Sequence, residues 1–154
     1  MRSFINLVMV SALLLACQQI YDPLSTAPGG EYLKITTERN LYHISQRETI
    51  HVTAVNIATF SLYRWSPSFF ARLQRENGSE WETIGPWYDI AAIVPRPHRI
   101  APGNHISVLP LICSDTMFKN PGTYRIVLDI YSDAGLQHLL SMERRVSKDF
   151  CVIK

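Results

Sequence analysis

The sequence predicts an all-β domain, an antiparallel sandwich of seven or eight strands, over residues 31–154. Three observations favour this fold class. Apolar and polar residues alternate through the segment, which is rich in β-branched and aromatic side chains. Turn signals containing glycine, proline and asparagine recur at short intervals, and no helical periodicity interrupts them. A small β-barrel is the alternative architecture.

Alternation places the individual strands. It is clear at residues 49–58, where Ile50, Val52 and Ala54 are expected to face the core, and clearest at residues 123–131, TYRIVLDIY. The other predicted strands are 31–37, 68–75, 80–84, 105–111, 136–146 and 150–152, with 88–94 as a further candidate.

Turn chemistry separates these strands. Asn77 and Gly78 accept the positive φ of a tight hairpin turn, so residues 68–75 and 80–84 are expected to pair. Residues 95–103 contain three prolines and are expected to form a loop or an edge strand. Residues 60–67 are aromatic and end in a proline, which favours a loop.

Residues 1–16 have the features of a secretory signal peptide. Arg2 is the only charge before Asp22, and the apolar run of residues 4–16 is shorter than the roughly 20 residues of a membrane span. The run ends in LLAC, residues 14–17, which resembles the bacterial lipobox. That resemblance implies cleavage after Ala16 and lipidation of Cys17. The alternative is an ordinary signal peptide with an incidental cysteine.

Residues 17–30 are then the lipidated cysteine and a flexible tether rich in proline and glycine, with a reach of about 45 Å. The expected location is the bacterial cell envelope, facing the periplasm or the surface. Gln18 after the cysteine favours the outer membrane. The formal net charge of the whole chain is only +2, which argues against a nucleic-acid partner, since such partners are bound by clustered positive charge.

A family resemblance covers most of residues 31–153. The segment NPGTYRI, residues 120–126, resembles the P-G-x-Y-R-I signature of bacterial immunoglobulin-like domains, and residues 50–56, 77–81 and 147–152 resemble their other strands. The resemblance implies that Tyr124 forms a tyrosine corner, whose hydroxyl bonds upstream backbone. It also implies that the following apolar residues of that strand, Ile126, Leu128 and Ile130, lie in the core.

Two cysteines remain if Cys17 carries lipid, and an exported compartment favours their pairing. In the immunoglobulin strand order, Cys113 follows strand E and Cys151 lies near the end of strand G. Both strands run in the same direction, so a disulfide between Cys113 and Cys151 is expected. The alternative is two free cysteines.

The sequence offers no catalytic motif and no cofactor site. The five histidines lack metal-ligand spacing, and there is no G-x-S-x-G elbow and no phosphate-binding glycine loop. The chain is therefore expected to be a non-enzyme, a membrane-anchored binding or structural module whose partner is another envelope macromolecule. Tyr63, Arg64 and Trp65 are the candidate contact residues, on a loop near residues 133–135. The alternative is that Trp65 begins strand C and packs in the core.

Two other functions stay open. One resembles a bacterial proteinase-inhibitor family with the same sandwich, in which residues 86–103 would be presented to a protease. The other is metal handling through the soft ligands Met117, His138 and Met142.

The lipobox resemblance yields the first prediction. Replacing Cys17 by serine should abolish incorporation of labelled palmitate, because the acceptor sulfur is lost. Equal labelling of the Cys17→Ser variant and the parent in metabolically labelled cells would show that the lipobox interpretation is wrong.

Overall fold

The computed structural model describes residues 32–66, 71–86, 96–108, 110–114 and 116–154. The predicted signal peptide, Cys17, the tether and the candidate strand at 88–94 lie outside the described residues. The described part is an all-β antiparallel sandwich, as the sequence predicted. None of its helices has the length and hydrophobicity of a membrane span.

The strands of the described part are short, and each is named here by its bounds: β1 Leu33–Thr37, β2 Leu41–His43, β3 Thr49–Ile50, β4 Val52–Asn56, β5 Leu62–Ser66, β6 Ala71–Asn77, β7 Glu80–Pro86, β8 Arg96–Ile100, β9 His105–Ser107, β10 Leu111–Ile112, β11 Gly122–Leu128 and β12 Phe150–Ile153. A 3-10 helix covers Met142–Arg144.

Two layers enclose the core. One contains the sheet β2-β12-β11-β6-β7, and the other contains β1-β4-β9 and the short pair β10-β3. Strands β5 and β8 form a separate two-stranded ribbon. Neighbouring strands are antiparallel except β2 and β12, which are parallel. This arrangement is the immunoglobulin order: strands A (β1), B (β3 and β4) and E (β9 and β10) lie opposite strands G (β12), F (β11), C (β6) and C′ (β7).

The core contains the residues that alternation assigned to it. Ile50, Val52 and Ala54 are buried on one layer, and Ile126, Leu128 and Ile130 are buried on the other. Aromatic rings fill the end of the core opposite the β11–β12 connection: Phe118 packs edge-on to Tyr124 at 4.9 Å between ring centroids, and Phe150 packs edge-on to Tyr42 at 5.7 Å. The hairpin turn is also as predicted, with Gly78 at φ 68°.

Two segments differ from the prediction. Residues 62–66, expected to be a loop, form strand β5, because their backbone pairs with β8. The same pairing makes residues 96–100 an edge strand, one of the two alternatives expected for the proline-rich segment. Residues 136–146, expected to be one strand, pair only in part and contain the 3-10 helix, because the chain leaves the ladder there to bury Arg145.

The expected disulfide between Cys113 and Cys151 is not formed. Cys113 is fully buried within the core cluster, which also contains Phe150 and Val152. Successive side chains of a strand point to opposite faces of the sheet. Cys151, between those two core residues, therefore faces away from the core and from Cys113. The immunoglobulin order brought the two backbones to one end but did not set the direction of the side chains.

Tyr124 makes the bond that defines a tyrosine corner. Its hydroxyl donates a hydrogen bond to the carbonyl oxygen of Asn120, four residues upstream. The side chain is 1% exposed, and burial raises the pKa of the phenol. The bond holds the connection that enters β11 against the core.

Replacing Tyr124 by phenylalanine should lower the free energy of unfolding by about 1–2 kcal/mol, because one buried hydrogen bond is lost with little change in volume. Urea denaturation of the purified domain measures the change. The control is Tyr63→Phe, at a half-buried surface position, which should change the value by no more than about 0.5 kcal/mol. If the two variants lowered the free energy of unfolding equally, the tyrosine corner would have no special structural role.

Candidate partner-binding surface

Four side chains form a row across the outer face of the sandwich, at the end where β11 runs into its connection to β12. Tyr63 of β5 and Tyr131 exchange two backbone hydrogen bonds, at 2.9 and 2.8 Å. Arg99 of β8 lies directly opposite Tyr63, and Leu139 lies opposite Tyr131. Directly opposed residues of antiparallel strands share a face. We name these residues, Arg99, Tyr63, Tyr131 and Leu139, the tyrosine row.

The neighbours of the row show that it faces outward. Leu62 and Ile100, which flank Tyr63 and Arg99, are buried, and so is Ile130, which precedes Tyr131. The row residues therefore point away from the core. Leu139 is 41% exposed, Arg99 is exposed, and both tyrosines are half-buried. Arg99 Nε donates a hydrogen bond of 2.8 Å to Ser61 Oγ, which holds its guanidinium beside the row.

The structure separates the three contact residues that the sequence suggested. Tyr63 belongs to the row. Its backbone bonds join it to Tyr131, which precedes Asp133 by two residues, so Tyr63 lies near residues 133–135 as the sequence predicted. Arg64 lies on the opposite face of β5 from Tyr63, the same face as Leu62. It lines a small cavity together with Ile106 and other core residues. Trp65 lies on the same face of β5 as Tyr63, but it is half-buried, lines the same cavity and pairs with Pro97 rather than with a residue of the row. Arg64 and Trp65 are thus not part of the row.

The sequence analysis missed Arg99, Tyr131 and Leu139. The sequence could have predicted the orientation of Tyr131. If Tyr124, Ile126, Leu128 and Ile130 face the core, alternation places Tyr131 on the outer face of the sheet. Arg99 and Leu139 join the row only through cross-strand pairing, which short-range sequence patterns do not show.

The turn beside the row is fixed by Asp133. Its carboxylate accepts backbone hydrogen bonds from Gln137 at 3.1 Å and from His138 at 2.7 Å. The bond from the His138 N–H is the main cause that lowers the pKa of Asp133. Leu136, within the turn, has φ 55°, a conformation that costs energy for a residue other than glycine. The carboxylate therefore holds a strained turn in one shape next to Tyr131.

A buried ion pair fixes the remainder of the connection. The chain leaves the hydrogen-bonded ladder beside β11 after Leu140, whose N–H donates a bond of 2.9 Å to the carbonyl oxygen of Ile130. It rejoins the ladder at Arg145, whose carbonyl oxygen accepts a bond of 2.9 Å from the N–H of Leu128. Arg145 Nη1 lies 2.6 Å from Asp129 Oδ1, and both side chains are 8% exposed. Arg145 Nε also donates to the carbonyl of Leu140 at 2.9 Å.

Asp129 is shared by two guanidinium groups. Arg72, on the neighbouring strand β6, binds both carboxylate oxygens and keeps 40% of its side chain exposed. Burial lowers the pKa of Arg145, and the charge of Asp129 opposes this effect. The three residues lock the connection to the outer face of the sheet and so set the position of Leu139.

The described residues do not assemble the metal site that was considered from sequence. Met117 precedes β11, whereas His138 and Met142 follow its far end, and a seven-residue strand spans about 23 Å. Among the described residues no three histidine, cysteine or acidic side chains are grouped as metal ligands.

A concavity of about 440 Å³ lies between the β6–β7 hairpin and the segment that leads into β11. Its lining is mostly polar, and its charged members include Arg75, Glu82 and Lys119. Arg75 and Glu82 form an ion pair of 2.9 Å with each other, so their charges largely cancel. This site offers a ligand less distinctive chemistry than the tyrosine row.

Comparison with known proteins gives no match close enough to show a family for this chain. No family model matches the chain, and no curated protein matches it. Among solved structures, a β-glucosidase from Listeria innocua in complex with glucose is 13% identical, with a TM-score of 0.36. A β-glucosidase involved in saponin metabolism from intestinal bacteria is 12% identical, with a TM-score of 0.39. Each match covers 78% of this chain but only 16% of the other, and likeness this distant carries no argument about activity.

Replacing Asp129 by asparagine should lower the free energy of unfolding by about 3–5 kcal/mol, because the buried Arg145 loses its counter-charge. Urea denaturation measures the loss. Arg72→Met is the control: its guanidinium is partly exposed, and Arg145 would keep its partner, so a smaller loss is expected. If Arg72→Met were as damaging as Asp129→Asn, the Asp129–Arg145 pair would not be the main constraint.

Proposed function

We propose that the chain is a lipid-anchored protein of the bacterial cell envelope whose immunoglobulin-like domain is a non-catalytic binding module. The single observation that supports a binding role is the tyrosine row, which presents two tyrosines, an arginine and a leucine on one face. The lipobox resemblance at residues 14–17 supports the anchor and the envelope location. The partner that we propose is another envelope macromolecule.

The residue types of the row suit recognition. Tyrosine and arginine are enriched among interface residues that contribute most to binding, because each combines a large apolar contact area with hydrogen-bonding groups. Two strands, β8 and β5, and two bridged segments, at Tyr131 and Leu139, present the row side by side, so it extends over about 14 Å, three interstrand spacings. That width matches the central contact patch of a small interface better than a pocket for a metabolite.

Rigidity adds to this argument. Tyr63 and Tyr131 are held by paired backbone bonds, and Leu139 is held by the turn of Asp133 and the ion pair of Arg145. Residues fixed in this way lose little conformational entropy when a partner binds. None of the four row residues is a carboxylate, histidine, serine or cysteine, so the row is suited to binding rather than to bond cleavage.

The experiment is capture of partners from solubilised envelope membranes, with the tagged, lipidated protein as bait. Arg99→Ala and Tyr131→Ala should each weaken recovery of a stoichiometric partner at least about tenfold, the loss typical of a central interface contact. The matched control is Arg96→Ala: Arg96 is an exposed arginine of the same strand, but it lies on the opposite face from Arg99.

Thermal denaturation of each variant separates binding from folding, since Arg99 is exposed and its loss should leave stability nearly unchanged. Recovery that falls equally for Arg96→Ala and Arg99→Ala would point to general charge attraction and overturn the row as the binding surface. A partner recovered undiminished by all three variants would overturn it as well.

A further inference from the structure

A second group of exposed side chains lies at the same end of the sandwich. Large apolar residues of the described part that are exposed include Ile57 at 45%, Phe60 at 40% and Met142 at 38%. Ile57 and Phe60 follow β4, and Met142 lies in the connection between β11 and β12. Ile112, which is 51% exposed, lies at the other end of the domain, where β10 pairs with β3.

Tyr32 contacts Ile57, Phe60 and Arg144, and Met142 lies in the same 3-10 helix as Arg144. The Tyr32 ring packs edge-on to Phe60, with 5.1 Å between the ring centroids, and Arg144 Cζ lies 4.2 Å from the centre of the Tyr32 ring. The Tyr32 carbonyl accepts a backbone hydrogen bond of 2.9 Å from Ile57. We name Tyr32, Ile57, Phe60, Met142 and Arg144 the apolar rim.

The rim lies where the chain enters the domain. Tyr32 is the first described residue, and only residues 18–31 separate it from Cys17, the proposed lipid site. Such a segment reaches at most about 50 Å, so a lipid anchor sets an upper limit on the distance between this end of the domain and the bilayer. The opposite end of the domain lies about 26 Å from the rim, the length of the extended chain from residue 49 to residue 57.

The composition of the rim fits a membrane surface. Exposed apolar side chains that cluster on one face mark interaction sites. Aliphatic and aromatic groups enter the headgroup region by about 5–10 Å, tyrosine favours the boundary, and arginine is attracted to anionic headgroups. The neighbouring acid, Glu143, accepts a hydrogen bond from the Ser141 hydroxyl, and this bond, with a smaller contribution from the charge of Arg144, lowers the pKa of Glu143.

We propose that the apolar rim rests on the surface of a bilayer that contains anionic phospholipid. Ile57, Phe60 and Met142 enter the headgroup region, and Arg144 interacts with lipid phosphate. This inference rests on the proposed lipid anchor and deepens it: the anchor supplies attachment, and the rim supplies orientation. The tyrosine row, at the same end but on the outer sheet face, is then held close to the membrane.

The test places a tryptophan at Phe60 or at Ile112 of the full protein reconstituted into vesicles of phosphatidylethanolamine and phosphatidylglycerol. Brominated lipid quenches tryptophan on contact, and the signal of the native tryptophans is subtracted with the parent protein. The Phe60→Trp variant should lose most of its added emission, whereas Ile112→Trp should lose little. Adding Arg144→Glu to Phe60→Trp should reduce the quenching, and so should high salt.

Several outcomes would overturn the inference. Equal quenching at the two positions, or quenching at neither, would mean that the rim has no preferred contact with lipid. In native membranes, the tryptophan introduced by Phe60→Trp could be protected from aqueous acrylamide. Such protection, without quenching by brominated lipid in the vesicles, would mean that a protein covers the rim.

The lipid anchor is tested separately. Mass spectrometry of the same preparation shows whether Cys17 carries acyl groups. Absence of acyl groups would reject the anchor whatever the quenching result. An acylated Phe60→Trp protein whose added tryptophan is not quenched would reject the rim alone.

Discussion

The ion pair between Asp129 and Arg145 is the interaction on which the end of the domain with the two proposed contact surfaces depends. Two charges that are 8% exposed cannot be separated cheaply, because each would be left without a partner away from water. Arg145 reaches Asp129 only if the chain leaves the ladder after Leu140 and returns one short helix later. The shape of the connection between β11 and β12 follows from that requirement.

This connection contributes to both proposed contact surfaces. Leu139 precedes the excursion and completes the tyrosine row, whereas Met142 and Arg144 lie within the excursion and belong to the apolar rim. Arg144 lies over Tyr32, at the start of the domain, so the entry of the chain is joined to the same connection. A partner on the row and a membrane under the rim would therefore be held in a fixed relation by one locked segment.

Local patterns predicted much of the fold because the relevant physics is local. Alternation over residues 49–58 identified Ile50, Val52 and Ala54 as core residues, and the asparagine–glycine pair located a hairpin turn. The same reasoning failed at residues 62–66, where an aromatic segment with a following proline suggested a loop. Pairing with β8, more than thirty residues away in sequence, made it a strand. Membership of the row also depends on pairing between distant segments. Of the three predicted contact residues, only Tyr63 therefore belongs to it.

The sequence by itself determined the fold class, the inward and outward faces of its clearest strands and the position of Tyr124, because side-chain alternation and turn geometry are properties of short segments. Tertiary structure alone decided that Cys113 and Cys151 point to different faces, that Arg145 turns inward to Asp129 and that Arg99, Tyr63, Tyr131 and Leu139 align. These outcomes depend on register between distant strands, and register is set by how the whole core packs.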